Sequence, residues 1–142
     1  MRLLIVEDNP DIRELLIEMV EDGGYAADGV GNVTGALAAL AGRRYDLVIL
    51  DLLLPDGDGT EVLRHLRRGG GAVPVLVCSG RPDAALRTTM FDDGADAVLD
   101  KPFSCRELMA RVRALLRRSA SRPAATAQSA AVICASRSAA AG

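Results

Sequence analysis

The 142 residues include no tryptophan, two tyrosines, two phenylalanines, three cysteines, one histidine and one lysine. Cys78, Cys105 and Cys134 are neither even in number nor closely spaced, so neither a disulfide framework nor a zinc site is indicated. They read as reduced, mostly buried thiols. His65 lies among Arg64, Arg67 and Arg68 in a helical stretch and reads as part of a solvated face, not as a phosphohistidine. No apolar run approaches the roughly 20 residues that span a bilayer. The amino-terminal Leu3–Val6 run meets Glu7 and Asp8 at once, too soon for a secretory signal, so a cytoplasmic location is expected. A net charge of −2 gives no global attraction to nucleic acid or anionic lipid, and neither is an expected partner of this chain. Lys101 is the only lysine among 17 basic residues, which singles it out.

What is present is an alternation of strand and helix signals. Leu3–Val6 is a short apolar run that ends in two acids, the pattern of a strand buried on both faces. Asn9-Pro10 supplies an N-cap and a first-turn proline, and Ile12, Leu15, Leu16, Met19 and Val20 follow at helical spacing up to Gly23-Gly24. Tyr25–Val30 is a weaker strand, Asn32 a cap, and Ala36–Leu40 a small-residue helix. Asp46–Asp51 is the strongest buried strand; Pro55–Gly59 follows as a loop, and Val62, Leu63 and Leu66 mark a third helix. A strand over Val73–Cys78, a weaker helix between Asp83 and Asp93, a strand over Ala95–Leu99 and a helix capped by Ser104 complete the series. Five strands alternating with five helices predict an α/β, doubly wound parallel sheet. In such a sheet the chemistry gathers beyond the carboxyl ends of the strands. From about residue 119 the composition turns to alanine and serine, and 119–142 reads as a flexible tail without a core.

The residues at the predicted strand ends are chemically selective: Glu7 and Asp8 after the first, Asp51 at the third, Ser79 at the fourth and Lys101 after the fifth. Converging carboxylates repel unless a positive charge sits among them. Mg²⁺, or Mn²⁺ in its place, takes oxygen ligands of this kind together with phosphate oxygens. A lysine and a hydroxyl complete a site for a phosphoryl group, with Mg²⁺ on Asp8 and Asp51 and with Glu7 acting through a bound water.

These pieces resemble the receiver domain of two-component response regulators over about residues 2–118. They are Ile5–Asn9, Asp46–Pro55 with Asp58-Gly59, Cys78–Gly80, Gly94–Asp96 and Lys101–Phe103. The resemblance implies a flavodoxin-like sheet of order 2-1-3-4-5. It implies that Asp51 accepts phosphate from a sensor histidine kinase, with Lys101 and Ser79 contacting the phosphoryl group. A metal ligand from the Leu53 carbonyl and a cis Lys101–Pro102 peptide are implied as well. Such a domain is a phosphoacceptor switch that assists its own phosphorylation and dephosphorylation, not a turnover enzyme.

In receiver domains the hydroxyl at the fourth strand end works with an aromatic residue on the fifth strand, and here Val98 holds that aromatic position. Coupling is therefore expected through shifts of the fourth helix. The fourth helix, fifth strand and fifth helix resemble the dimerisation face of the OmpR-type subfamily through Arg87, Asp92, Asp96, Glu107 and Arg111, with Arg118 beside them, while Ala97 replaces a usual acid. That subfamily continues into a winged-helix DNA-binding domain, so the chain is either a stand-alone receiver or the remnant of a truncated regulator. Arg81 and Leu53 flank the expected path of attacking water, and apolar Leu53 implies slow self-dephosphorylation. Two competitors fit less well. A haloacid-dehalogenase-type phosphatase needs a second acid at Leu53, and a flavodoxin-like cofactor binder needs a phosphate loop after the first strand.

Overall fold

The computed structural model describes residues 1–69, 72–80 and 84–120. The strands are β1 (Arg2–Val6), β2 (Ala26–Val30), β3 (Leu47–Asp51), β4 (Leu53–Leu54), β5 (Gly57–Asp58), β6 (Val75–Ser79) and β7 (Ala97–Asp100). The helices are α1 (Pro10–Asp22), α2 (Val33–Gly42), α3 (Thr60–Arg68), α4 (Ala84–Asp92) and α5 (Cys105–Ala120). Five strands form one parallel sheet in the order β2-β1-β3-β6-β7. With the β4-β5 hairpin set aside, this is the 2-1-3-4-5 order.

Strand alternation sorts the sheet's side chains onto two faces. Leu4, Val6, Val48, Leu50, Val75, Val77 and Val98 share a core with Val33, Ala36, Val62, Leu63 and Met90 of α2, α3 and α4. Leu3, Ile5, Leu47, Ile49, Leu76, Cys78, Ala97 and Leu99 meet Leu16 and Val20 of α1 and Leu108, Val112, Leu115 and Leu116 of α5. Both faces are covered, as an all-parallel sheet requires. The register aligns the strands across their carboxyl ends: Val6 pairs with Leu50, Leu50 with Val77, and Val77 with Val98. Whatever follows those four residues is thereby brought to one edge.

Local capping follows the sequence. The Asn9 side chain accepts from the N–H groups of Asp11 and Ile12 at 2.9 and 3.2 Å, and Asn32 accepts from Gly35 at 2.6 Å. Ser104 and Glu107 form a reciprocal box, each side chain accepting from the other's backbone N–H. Several boundaries differ from expectation. Only Leu16 and Val20 of the α1 stripe are buried, while Ile12 and Leu15 remain 39% and 50% exposed. Helix α5 runs two residues past the expected limit at 118, to Ala120. The rest of the proposed tail lies outside the described residues, as does Arg81.

Pro55–Gly59, expected as a plain loop, folds into the β4-β5 hairpin instead. Its Gly59 N–H donates to the Leu52 carbonyl at 2.8 Å, bringing the backbones so close that a Cβ on Gly59 would collide with the backbone carbonyl oxygen of Asp51. Only glycine fits there. At the hairpin tip the Asp56 carboxylate caps α2 from outside the helix, accepting from Val33 N–H (2.7 Å), Thr34 N–H (3.1 Å) and Thr34 Oγ1 (2.9 Å). The Val33 and Thr34 amides hold the Asp56 carboxyl below its ordinary value of 3.8. A carboxyl depressed by folding stabilises above its unfolded pKa and loses that contribution as pH falls through the folded value. Urea denaturation should therefore find wild type more stable than Asp56→Ala by a constant margin at neutral pH, with the margin shrinking only below about pH 4.

Candidate functional site

The aligned strand ends deliver Glu7 directly after β1, Asp51 as the last residue of β3, Ser79 as the last of β6 and Lys101 directly after β7. Asp51 sits in register with Cys78, and Ser79 with Asp100. Glu7, Asp51 and Ser79 are 3%, 8% and 4% exposed, whereas Asp8 is open to solvent. One carboxylate oxygen from each of Glu7, Asp8 and Asp51 falls within a 4.8 Å cluster. The Lys101 ammonium enters this cluster, with Nζ 3.1 Å from Glu7 Oε1 and 3.5 Å from Asp51 Oδ1. Its backbone N–H is anchored to the Ser79 carbonyl at 2.7 Å, and the Lys101–Pro102 peptide is cis.

Electrostatics here is a contest between burial and pairing. Burial, more than any other influence, raises the Glu7 carboxyl above its ordinary value. The Asn9 N–H pulls the other way, the Asp51 charge adds to the rise, and the Lys101 ammonium opposes it. For Lys101 burial favours the neutral amine, but the bond to Glu7 and the charges of Asp51 and Glu7 outweigh it, so its pKa lies above normal and the ammonium persists. Burial also pushes the Cys78 thiol up to about 12, which makes it an inert core residue. Cys105, in contrast with the expectation of mostly buried thiols, is exposed.

Three carboxylates face one ammonium. The set has an excess of hard oxygen donors and negative charge, which suits a small divalent cation. A phosphoryl group would meet the ammonium on the same edge. Leu53 opens β4, two residues beyond Asp51.

Some functionally placed residues were not visible in the sequence. Arg13 of α1 donates from Nη1 to the Glu7 carbonyl at 2.9 Å, and its stem passes where side chains at Gly29 and Gly31 would collide with it. Two glycines spaced by two at the end of an edge strand were the available signal. Asp100, the residue before Lys101, is clasped by Arg87 of α4 through contacts of 2.5 and 2.6 Å. Arg67 joins α3 to the amino ends of β6 and β7. It donates to the carbonyls of Val73 (2.8 Å) and Gly94 (2.7 Å) and to Asp96 (2.8 Å), which itself accepts from Val75 N–H at 2.9 Å.

These contacts change the expected dimer face. Arg87, Asp96 and Glu107 each have partners within the chain, whereas Asp92 and Arg111 are exposed. Val98 is buried in the core it shares with Met90 of α4, with Phe91 packed against it.

The fold and the acidic strand-end pocket define a class, the receiver domains of two-component signalling. The chain belongs to the response regulator receiver domain family, which it matches over residues 3–113. It is 44% identical over 119 residues to the protein named Probable transcriptional regulatory protein y4xI of Sinorhizobium fredii, covering 84% of this chain and 52% of that one. It is 42% identical over 118 residues to Response regulator MprA of Mycobacterium avium, covering 83% and 52%. The chain thus spans about half the length of these relatives. Among solved structures it resembles the receiver domain of the Francisella response regulator 1452, with TM-score 0.79, 27% identity and coverage of 83% and 98%. A two-component response regulator from Clostridium difficile is similar at TM-score 0.79 and 27% identity, with coverage of 83% and 97%.

The two arginine clasps should differ in strength. Arg67 and Asp96 are mostly buried and share several bonds, so Arg67→Met should cost about 2–4 kcal/mol in urea denaturation. Arg87 and Asp100 are 38% and 45% exposed, so Arg87→Met should cost less than about 1 kcal/mol in the same assay.

Proposed function

We propose that this chain is a Mg²⁺-dependent phosphoacceptor switch in which Asp51 receives a phosphoryl group from the phosphohistidine of a sensor histidine kinase. The observation that carries the reading is the meeting of the Glu7, Asp8 and Asp51 carboxylates within 4.8 Å of one another, with the Lys101 ammonium beside Glu7 and Asp51. Asp8, Asp51 and the Leu53 carbonyl would hold Mg²⁺ or Mn²⁺ directly, and Glu7 through water. When bound, the ion supplies positive charge opposite the phosphoryl oxygens.

The chain's own residues do the rest. An oxygen of Asp51 attacks phosphorus as the phosphorus–nitrogen bond to the donor histidine breaks, which leaves an acyl phosphate on Asp51. Lys101 Nζ already lies beside Asp51 Oδ1 and turns its positive charge toward a phosphoryl oxygen. Ser79 donates its hydroxyl proton to another oxygen. Burial of Asp51 limits competing water and strengthens both interactions.

The domain is a switch, not a turnover enzyme, and assists its own phosphorylation and dephosphorylation. Loss of phosphate is slow because residue 53, an apolar leucine, cannot orient attacking water. Its place of action is the cytoplasm, and its output face is α4, β7 and α5, used for dimerisation or partner binding. With Val98 in the aromatic position, the bridge from Arg87 to Asp100 supplies the route to α4, since Asp100 adjoins Lys101 in the chain. Rearrangement of that face must release Arg87, Asp96 or Glu107 from their internal partners. Coverage of only half of the relatives also favours a second reading of the chain as the receiver portion of a longer transcriptional regulator. On the first reading the receiver runs from residue 1 through α5, which ends at Ala120.

Incubation with acetyl phosphate and Mg²⁺ should add one phosphoryl group by intact mass to wild type and none to Asp51→Asn. Omission of Mg²⁺ should abolish the reaction, and Lys101→Ala should slow it by on the order of 10²-fold. An unmodified wild type, or equal labelling of Asp51→Asn, would overturn the proposal. Once labelled and freed of donor, wild type should retain its phosphate for minutes or longer, whereas decay within seconds would contradict the role given to Leu53.

A further inference from the structure

Two glycines at the carboxyl end of β2, Gly29 within the strand and Gly31 just after it, are not required by the backbone. Among the described residues only Gly24 and Gly94 have positive φ. Glycine in an edge strand weakens it and marks a place where another group must come close. That group is Arg13 of α1. A Cβ on Gly29 would stand 3.0 Å from Arg13 Cγ and 3.1 Å from Cδ, with Ile17 Cδ1 crowding the same space at 2.8 Å. On Gly31 it would stand 2.8 Å from Arg13 Nη1, with the Glu7 carbonyl oxygen at 3.8 Å. The two glycines clear a path for the arginine stem and a seat for its guanidinium.

From that seat Nη1 donates to the Glu7 carbonyl at 2.9 Å. Glu7 is held at its other groups too. Its N–H donates to the Val30 carbonyl at 3.0 Å, where the β1–β2 register ends, and its carboxylate accepts from Asn9 N–H at 3.2 Å and from the Lys101 ammonium at 3.1 Å. Asp8 is placed differently. It is exposed and forms no ion pair among the described residues, yet one of its carboxylate oxygens joins the cluster with Glu7 and Asp51. The peptide that leads into Asp8 is the one whose carbonyl Arg13 holds.

We propose, resting on the reading of the pocket as a divalent-cation site, that Arg13 is a positioning residue. By fixing the Glu7–Asp8 peptide through the Glu7 carbonyl, it directs the Asp8 carboxylate toward the cation. The sign of its effect separates this role from one of charge. An arginine near a cation site repels the cation, so its loss through charge alone would tighten binding. Loss of a group that orients a ligand instead weakens binding, by about ten- to a hundredfold.

Titration of the full chain with Mn²⁺ alone, followed by the electron paramagnetic resonance signal of the free ion, tests this. Wild type should bind Mn²⁺, and Arg13→Met should bind it about tenfold more weakly. Gly31→Ala keeps the arginine and its charge. Its added methyl group meets the mobile end of Arg13 first, so the chain should fold with the guanidinium pushed off the Glu7 carbonyl and the affinity lowered by a similar factor. In the double variant the two losses should not add, because a methionine stops short of the space above residue 31. Circular dichroism checks each fold, and Gly31→Ala decides alone if Arg13→Met does not fold. A wild type that leaves Mn²⁺ free would overturn the cation site and the role of Arg13 with it. Binding by wild type with equal or tighter binding by Arg13→Met, no loss in Gly31→Ala, or additive losses in the double variant would overturn the role of Arg13 and leave the cation site standing.

Discussion

The burial of two carboxylates at the edge of a parallel sheet is the constraint on which the rest of the site depends. Glu7 and Asp51 lose most of their water, and Asp8 adds a third negative charge at close range. Such an arrangement persists only with cationic compensation. Lys101 provides part of it, while burial still holds the Glu7 carboxyl above its ordinary value. The apolar strands behind the pocket are what make this possible. Their shared register brings four chain segments to one edge without any residue of the site having to fold locally.

Most of the architecture was legible because its signals are periodic and redundant. The buried runs at Leu3–Val6 and Leu47–Leu50, the caps at Asn9, Asn32 and Ser104, and the glycines after α1 and α3 agree with one another. Glu7, Asp8, Asp51, Ser79 and Lys101 were legible for a different reason. Strand ends in a doubly wound sheet converge, so position along the sequence translates directly into proximity. What escaped were contacts between segments with no shared period. Asp56 reaching α2, Arg67 reaching Asp96 and Arg87 reaching Asp100 each depend on how two helices or loops happen to pack. The hairpin at Pro55–Gly59 was missed because its turn chemistry is that of any loop, and only the approach of Gly59 to the Asp51 carbonyl reveals the second role of that glycine. Ile12 and Leu15 show the reverse error, since helical spacing marks a stripe but does not fix how wide a stripe the neighbouring elements cover.

Charge placement differs in degree between the two faces of the sheet. On the α2, α3 and α4 side arginines are spent internally, Arg67 on backbone carbonyls and Asp96, Arg87 on Asp100, Arg64 on Asp93. On the α1 and α5 side Arg13 is likewise committed, to the Glu7 carbonyl, while Arg106, Arg113 and Arg117 are exposed. Charge thus fixes helices to the sheet on both faces, over equally dry cores.

The position of Arg67 has a mechanical meaning. Its guanidinium rivets the amino ends of β6 and β7 to α3, at the end of the sheet remote from the acidic pocket. Beyond that tie the strands stay paired to their carboxyl ends, where Ser79 lies in register with Asp100 and Asp100 is held in turn by Arg87 of α4. The β6–β7 pair is thus pinned to α3 at one end and to α4 at the other, with the acidic pocket beside the second pin.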